Sequence, residues 1–294
     1  MQVNASLIRH LQQATGRDLG NHRLTRVGGG DINAAFRLQA NNTDWFVKLN
    51  RAGLSGMFAA EAAGLREIDA QQQVKVPKVV SVGEHDHQAY LLLEYEALDA
   101  LRGDSAGRFG EQLARLHRQP QAFFGWHIDN TIGSTPQHND RHNDWPGFWQ
   151  QQRLGKQLQF AAENGFTGSL QTKGLKLLEN IPAFFSRHRP HPSLLHGDLW
   201  GGNAASDGQG NPIMFDPACY YGDRETDIAM TELFGGFGPN FYSAYQAEYP
   251  LDPDYKTRKT LYNLYHILNH LNLFGGGYLG QANGMIEQLL SELK

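Results

Sequence analysis

From Leu24 to Tyr95 the chain reads as short strands punctuated by glycine and Asn-Asn, and from Gly107 onward it reads as helices. Strands first and helices afterward predict an α+β chain, and 294 residues are enough for two lobes with a cleft between them. The strand-like runs are LTRV, AAFRLQ and WFVKLN, separated by GGGDIN and NNTD, then Pro77–Val82 and Ala89–Tyr95. Between them SGMFAAEAAGLREIDAQ carries Met57, Phe58, Leu65 and Ile68 on one helical face. The helices that follow are expected over Gly107–His117, Phe148–Ala162 and Leu170–Phe185. Further ones are expected around Ile228–Leu233, Phe241–Glu248, Thr257–Phe274 and Met285–Leu293, and a polar loop over Trp126–Asn143. The N-terminal MQVNASLIRHLQQATG reads as a short amphipathic helix ending at Gly16. We therefore expect an N-terminal lobe over 1–95, built on a small antiparallel sheet, and a larger, mostly helical lobe over 96–294.

The chemistry concentrates in LLHGDLWGGN (194–203) and in the short apolar strand Pro212–Phe215 that precedes Asp216. One carboxylate, an amide five residues later and a second carboxylate after a strand are the three groups that phosphoryl transfer asks of a kinase. Asp198 would orient and deprotonate an acceptor hydroxyl, and Asn203 and Asp216 would hold a metal against nucleotide phosphates. Oxygen ligands of this number suit Mg²⁺, which keeps several of its waters. His196 is expected to prop the loop by packing and hydrogen bonding.

Upstream, Lys48 interrupts the apolar run Trp45–Leu49, and an ammonium in such a strand needs a partner. Glu61 shares the apolar face of the following helix, so the two can form the pair that positions α- and β-phosphates. Gly28, Gly29 and Gly30 lie between two strands, which excludes dinucleotide and Walker loops because both need a helix to follow. They fit a hairpin tip whose amides approach phosphates, although Asn33 breaks the G-x-G-x-x-G spacing. Backbone groups of Glu94, Tyr95 and Glu96, at the end of the last strand, are placed to meet an adenine edge. The nucleotide is accordingly expected to be ATP, bound in the cleft.

A net charge of −4 argues against a dedicated nucleic-acid partner. No apolar run approaches a membrane span, and the N-terminus lacks the long apolar region of a signal peptide, so a cytoplasmic location is expected. Cys219 is the sole cysteine, which rules out an intrachain disulfide and a cysteine-rich zinc site; a small buried residue is the expected role. His138, Asp140, His142 and Asp144 read as a polar loop rather than a metal site.

The motifs HGDLWGGN, FDPACYYGDRETDIAM with FGGF, and HILNHLNLFGGGY resemble the fructosamine kinases, or ketosamine-3-kinases, relatives of the aminoglycoside and choline phosphotransferases. The similarity extends through VGGGDIN, FVKLN and QHNDRHNDWPGFWQQQRL to nearly the full length. It implies a bilobal protein-kinase-like fold and an ATP- and Mg²⁺-dependent enzyme that phosphorylates the 3-hydroxyl of a ketosamine. The unstable product then falls apart to regenerate the amine, a deglycation repair. By position, Asp198 resembles the base, Asn203 and Asp216 the metal ligands, Lys48 the phosphate lysine and Glu61 its partner. Asp227 resembles the carboxylate that braces the catalytic loop, and Trp200, Asn139 and Trp145 are candidates for the acceptor site. A kinase of another small alcohol and a non-catalytic nucleotide-binding protein are the alternatives, and oligomeric state, the sugar and the amine stay open.

Overall fold

The computed structural model describes residues 1–28 and 32–293, so the expected phosphate-loop residues Gly29 and Gly30 lie outside the described residues. The chain forms two compact units, Met1–Leu101 with Ala204–Pro217, and Arg102–Asn203 with Ala218–Lys294.

The first unit begins with α1 (Ala5–Thr15). Asn4 caps it by accepting the Leu7 N–H at 2.8 Å, and Gly16 ends it at φ 67°. Five strands follow: β1 (His22–Val27), β2 (Ala34–Ala40), β3 (Thr43–Arg51), and, after helix α2 (Ser55–Ala70), β4 (Val79–His85) and β5 (Gln88–Glu94). They make one antiparallel sheet in the order β1-β2-β3-β5-β4. Asp86 and His87 both have positive φ, 46° and 62°, the turn that matches the twist of a two-residue hairpin. Side chains alternate along β3, so Trp45, Val47 and Leu49 enter a core with Leu7, Ile8 and Leu11 of α1. Phe46, Lys48 and Asn50 fall on the opposite face, the face on which a partner for the ammonium is required.

This unit is completed from far downstream. Strand Ala204–Asp207 pairs with Pro212–Met214 on one side and with Leu98–Asp99 on the other. A further bridge links Ile213 to Lys75, and the Met214 N–H donates to the Lys75 carbonyl at 3.1 Å. A single division of the chain after residue 95 therefore misses this segment. The two short strands pair with each other locally, but the partners that join them to this unit, Leu98–Asp99 and Lys75, lie more than a hundred residues away.

The second unit is mostly helical: α3 (Gly103–His117), α4 (Trp145–Phe148), α5 (Gly155–Glu163), α6 (Ser169–Glu179), α7 (Glu225–Leu233), α8 (Pro239–Glu248), α9 (Tyr255–Phe274) and α10 (Leu279–Ser291). Helix α9 is its spine, with α5, α7 and α10 packed on it. Gly110 lets α3 approach α8 closely, since a Cβ there would lie 2.3 Å from the Phe241 carbonyl oxygen. The helix expected over Phe148–Ala162 contains a π-helical stretch, Trp149–Leu154, before α5. The expected polar loop holds a small hairpin, Asn130–Ile132 with Thr135–Gln137. Among the described residues no helix is long and apolar enough to cross a membrane.

Candidate active site

In the first unit Lys48 is 5 % exposed, and its Nζ donates to Glu61 Oε1 at 2.7 Å and to Asp216 Oδ1. Strand β3 supplies the lysine, α2 the glutamate, and the turn after Pro212–Met214 the aspartate. Burial alone would lower the Lys48 pKa, but Asp216 and Glu61 outweigh it and hold the ammonium above the ordinary lysine range. Burial pushes the Glu61 carboxyl upward, the Asp216 charge adds to the rise, and contact with Lys48 opposes both. One ammonium thus serves two carboxylates. Asp216 takes φ 58°, a left-handed backbone uncommon for a residue other than glycine, and its side chain remains 45 % exposed. Gly28 directly follows β1.

The expected adenine contacts need revision. The Glu94 N–H donates to the Lys78 carbonyl at 2.9 Å and the Tyr95 N–H to the Asp44 carbonyl at 3.0 Å. Those two donors are consumed within the unit. The Glu96 carboxylate pairs with Lys75 at 2.8 Å.

In the second unit the segment 193–203 is fixed at several points. Strand Ser193–Leu195 pairs with Tyr220–Gly222, and the Ala218 N–H donates to the His196 carbonyl at 2.8 Å. Gly197 has φ 82°, and a Cβ would sit 2.1 Å from the Ala218 carbonyl oxygen, so no other residue fits before Asp198. Asp227, in the first turn of α7, accepts the His196 N–H at 2.7 Å and the Gly197 N–H at 2.9 Å. His117 contacts the same carboxylate at 3.3 Å through Nε2, with Nδ1 on the Tyr245 hydroxyl at 2.9 Å. Burial would raise the Asp227 pKa, but the hydrogen bond from His117 and the loop amide hold it below the ordinary range. Burial also lowers the His117 pKa, so a neutral imidazole facing an ionised carboxylate is the consistent assignment.

The Asp198 N–H donates to His196 Nδ1 at 3.3 Å. Asn203 Nδ2 donates to the Asp198 carbonyl at 2.9 Å and to its Oδ2 at 3.3 Å. With Nδ2 turned inward, Asn203 Oδ1 is left as an acceptor. That amide oxygen and the Asp216 carboxylate are hard donors, a chemistry that fits Mg²⁺.

Two acceptor candidates move into the interior. Trp145 is 1 % exposed, stacks on Phe148 and donates its indole N–H to the Tyr262 hydroxyl at 3.0 Å. Asn139 is equally buried, with Nδ2 on the Ile128 carbonyl and Asn130 Oδ1, and its Oδ1 taken by Arg153 at 2.7 Å. Both are core residues whose burying partners lie elsewhere in the chain. Trp200 stays 40 % exposed. His138 pairs with Asp129 and Asp144 caps α4, while His142 and Asp140 meet Gln152. Cys219 is buried.

The sequence reading missed Arg153, fully buried in the π-helical stretch over the Tyr220 ring at 3.9 Å and the Phe148 ring at 4.6 Å. Its signal was an arginine in the aromatic run WPGFWQQQRL. Also missed was a buried network in which His188 and Tyr262 donate to Asp223 at 2.7 and 2.6 Å and Arg258 pairs with Glu225 at 2.8 Å.

His266, 4 % exposed on α9, gives a pH prediction. Burial, with His270 and Arg153 nearby, drives its pKa down to about 3, so it stays neutral in the folded chain while the unfolded chain takes up a proton near 6.5. Stability from this group is full above that value and is lost as pH falls through it. Between about pH 7.5 and 5 the loss is roughly 2 kcal/mol. Urea unfolding at both pH values should show that much less acid sensitivity in His266→Gln than in wild type; equal sensitivity would refute the neutral assignment.

The model of the fructosamine kinase family matches residues 3–292. A protein named as a probable ketoamine kinase from Vibrio cholerae is 44 % identical over 290 residues, covering 97 % of this chain and 99 % of its own. The chloroplastic protein-ribulosamine 3-kinase of Arabidopsis thaliana is 40 % identical over 275 residues, 92 % of this chain and 84 % of its own. The crystal structure of a protein assigned as a fructosamine-3-kinase in Thermobifida fusca superposes with a TM-score of 0.86 at 30 % identity, covering 97 % of this chain and 99 % of that one. A thermostable mutant of aminoglycoside phosphotransferase APH(4)-Ia, with a TM-score of 0.64 at 14 % identity over 97 % of this chain and 98 % of its own, shares the protein-kinase-like fold.

Proposed function

The chain belongs to the fructosamine kinase family, and from that membership and the geometry above we propose that it transfers the γ-phosphoryl group of ATP to the 3-hydroxyl of a ketosamine. The observation that carries the reading is the loop 193–203, where Asp198 is clamped by Asn203 and braced through Gly197 by Asp227. As the substrate oxygen attacks the γ-phosphorus, the bond to the β,γ-bridging oxygen breaks, ADP leaves, and the hydroxyl proton passes to the Asp198 carboxylate. The 3-phosphate is unstable and its breakdown releases the amine, which makes the activity a deglycation.

Lys48, held charged by its two carboxylates, would neutralise the α- and β-phosphates, with Glu61 fixing the ammonium on its strand. The amides of Gly28, Gly29 and Gly30 would approach the same phosphates. Adenine would be met by the Glu96 backbone and the Glu94 and Tyr95 carbonyls, since the Glu94 and Tyr95 N–H groups are spent. Asn203 and Asp216 would hold Mg²⁺, which supplies charge neutralisation to the phosphates when bound. Such an enzyme needs no membrane or nucleic-acid partner, and we place it in the cytoplasm.

The test is ADP release with Mg-ATP against a fructosamine and a ribulosamine of lysine, an aminoglycoside, choline and no acceptor. Turnover confined to the ketosamines is the expected result. Turnover on another alcohol alone would overturn the substrate, and ATP binding without turnover would overturn the enzyme.

A further inference from the structure

His188, three residues beyond the short helical turn Ile181–Phe185, is enclosed by carboxylates from two other segments. Its Nε2 donates to Asp223 Oδ2 at 2.7 Å and lies 3.9 Å from Glu225 Oε2, while Nδ1 lies 3.7 Å from Asp252 Oδ2. From α9, Arg258 donates to Glu225 at 2.8 and 3.1 Å and to Asp252 at 2.7 Å, and the Tyr262 hydroxyl donates to Asp223 at 2.6 Å. The neighbouring cations are engaged elsewhere: Arg224 on the Tyr249 and Pro250 carbonyls, Arg189 on the Phe185 carbonyl. His191 meets the His117 carbonyl. Three carboxylates therefore face one guanidinium, and an imidazolium at position 188 supplies the second cation.

This cluster holds the first turn of α7. Asp223 Oδ1 accepts the Glu225 N–H at 3.0 Å, and the Asp223 carbonyl accepts the Thr226 N–H at 3.0 Å and the Thr226 hydroxyl at 2.8 Å. The next residue is Asp227, whose carboxylate takes the His196 and Gly197 amides just before Asp198. One helical turn thus separates the imidazole's partner from the brace of the catalytic loop. A cavity of about 220 Å³, lined by His188, His191, Asp223, Tyr249 and Asp252, reaches the ring, so protons have access to it. Burial would lower the His188 pKa, but the hydrogen bond to Asp223 and the charges of Asp223 and Glu225 outweigh it and raise the pKa above 6.5. The charge is therefore present below that value and is lost as pH rises through the raised one. Without it, three carboxylates share Arg258 alone, and the turn that carries Asp227 loosens.

We propose that His188 is a positioning residue whose positive charge holds the first turn of α7, and through Asp227 the loop of Asp198, in its active geometry. The effect on turnover rests on the kinase reading of Asp198.

The experiment measures kcat and the KM for ATP from pH 6 to 9, with a ketosamine of lysine, in wild type, His188→Gln and His188→Lys. Wild-type kcat should fall about tenfold on the alkaline side, the size of a modest misplacement of the base, with the KM for ATP little changed. His188→Gln should show the low kcat throughout, and His188→Lys, cationic at every pH used, should keep the high one. Titration of the substrate amine is common to all three proteins and cancels in the comparison. A Gln variant that retains the wild-type profile overturns the proposal. If that variant does not fold, NMR of the wild type decides: the Gly197 amide should move with the midpoint of the His188 ring, and a stationary Gly197 overturns it. Wild type that releases no ADP with any ketosamine at any pH removes the kinase reading, and the Gly197 titration then upholds or overturns the coupling by itself.

Discussion

Replacing Asp198 by Asn is expected to lower kcat by about 10³-fold while leaving ATP affinity within about twofold of wild type. The reason is that most of the loop's anchors do not involve the carboxylate. They run through backbone groups: the Asp198 carbonyl to Asn203, the Asp198 N–H to His196, and the preceding amides to Asp227. An amide at position 198 preserves size and can keep one oxygen toward Asn203, while it removes the charge and the ability to take a proton. Steady-state ADP release, together with calorimetric titration of the nucleotide, separates the two quantities. Near-normal turnover would refute Asp198 as the base, and loss of nucleotide binding would show that the substitution acts on structure instead.

Asp227→Ala should be the most damaging single change to stability in this region, at about 3–5 kcal/mol, because it strands buried donors that the carboxylate now satisfies. The His196 and Gly197 amides and the His117 ring all converge on it. Asp227→Asn keeps the volume and one acceptor, so it should unfold at an intermediate urea concentration. Its kcat should fall with little change in the KM for ATP, as expected of a residue acting through the loop. Wild-type stability in the alanine variant would mean that the loop is held elsewhere.

Much of this architecture was legible before any coordinates. Lys48 stood out as a charge in an apolar strand, Glu61 by helical spacing, and Asp198, Asn203 and Asp216 by their intervals along the chain. Each of these signals is local. The errors share the opposite property: Trp145 and Asn139 were misread because what buries them, Tyr262 and Arg153, comes from other segments. A polar or amphipathic side chain does not announce whether its partner will be water or protein. The amides of Glu94 and Tyr95 were likewise consumed by Lys78 and Asp44, backbone partners that only strand register reveals. Arg153 escaped because its stabilisation comes from ring faces and carbonyls and leaves no charge pair for a sequence to show.

The return of Ala204–Pro217 to the first unit bears on the order in which the protein matures on the ribosome. When Leu101 has been made, Lys48 has Glu61 but not Asp216, and Lys75 lacks Asp207. Elongation at about 5–20 residues per second delays those carboxylates by on the order of ten seconds. Throughout that interval the nascent unit carries two ammonium groups short of their final counter-charges, so the unit that emerges first is the one that must wait to be finished.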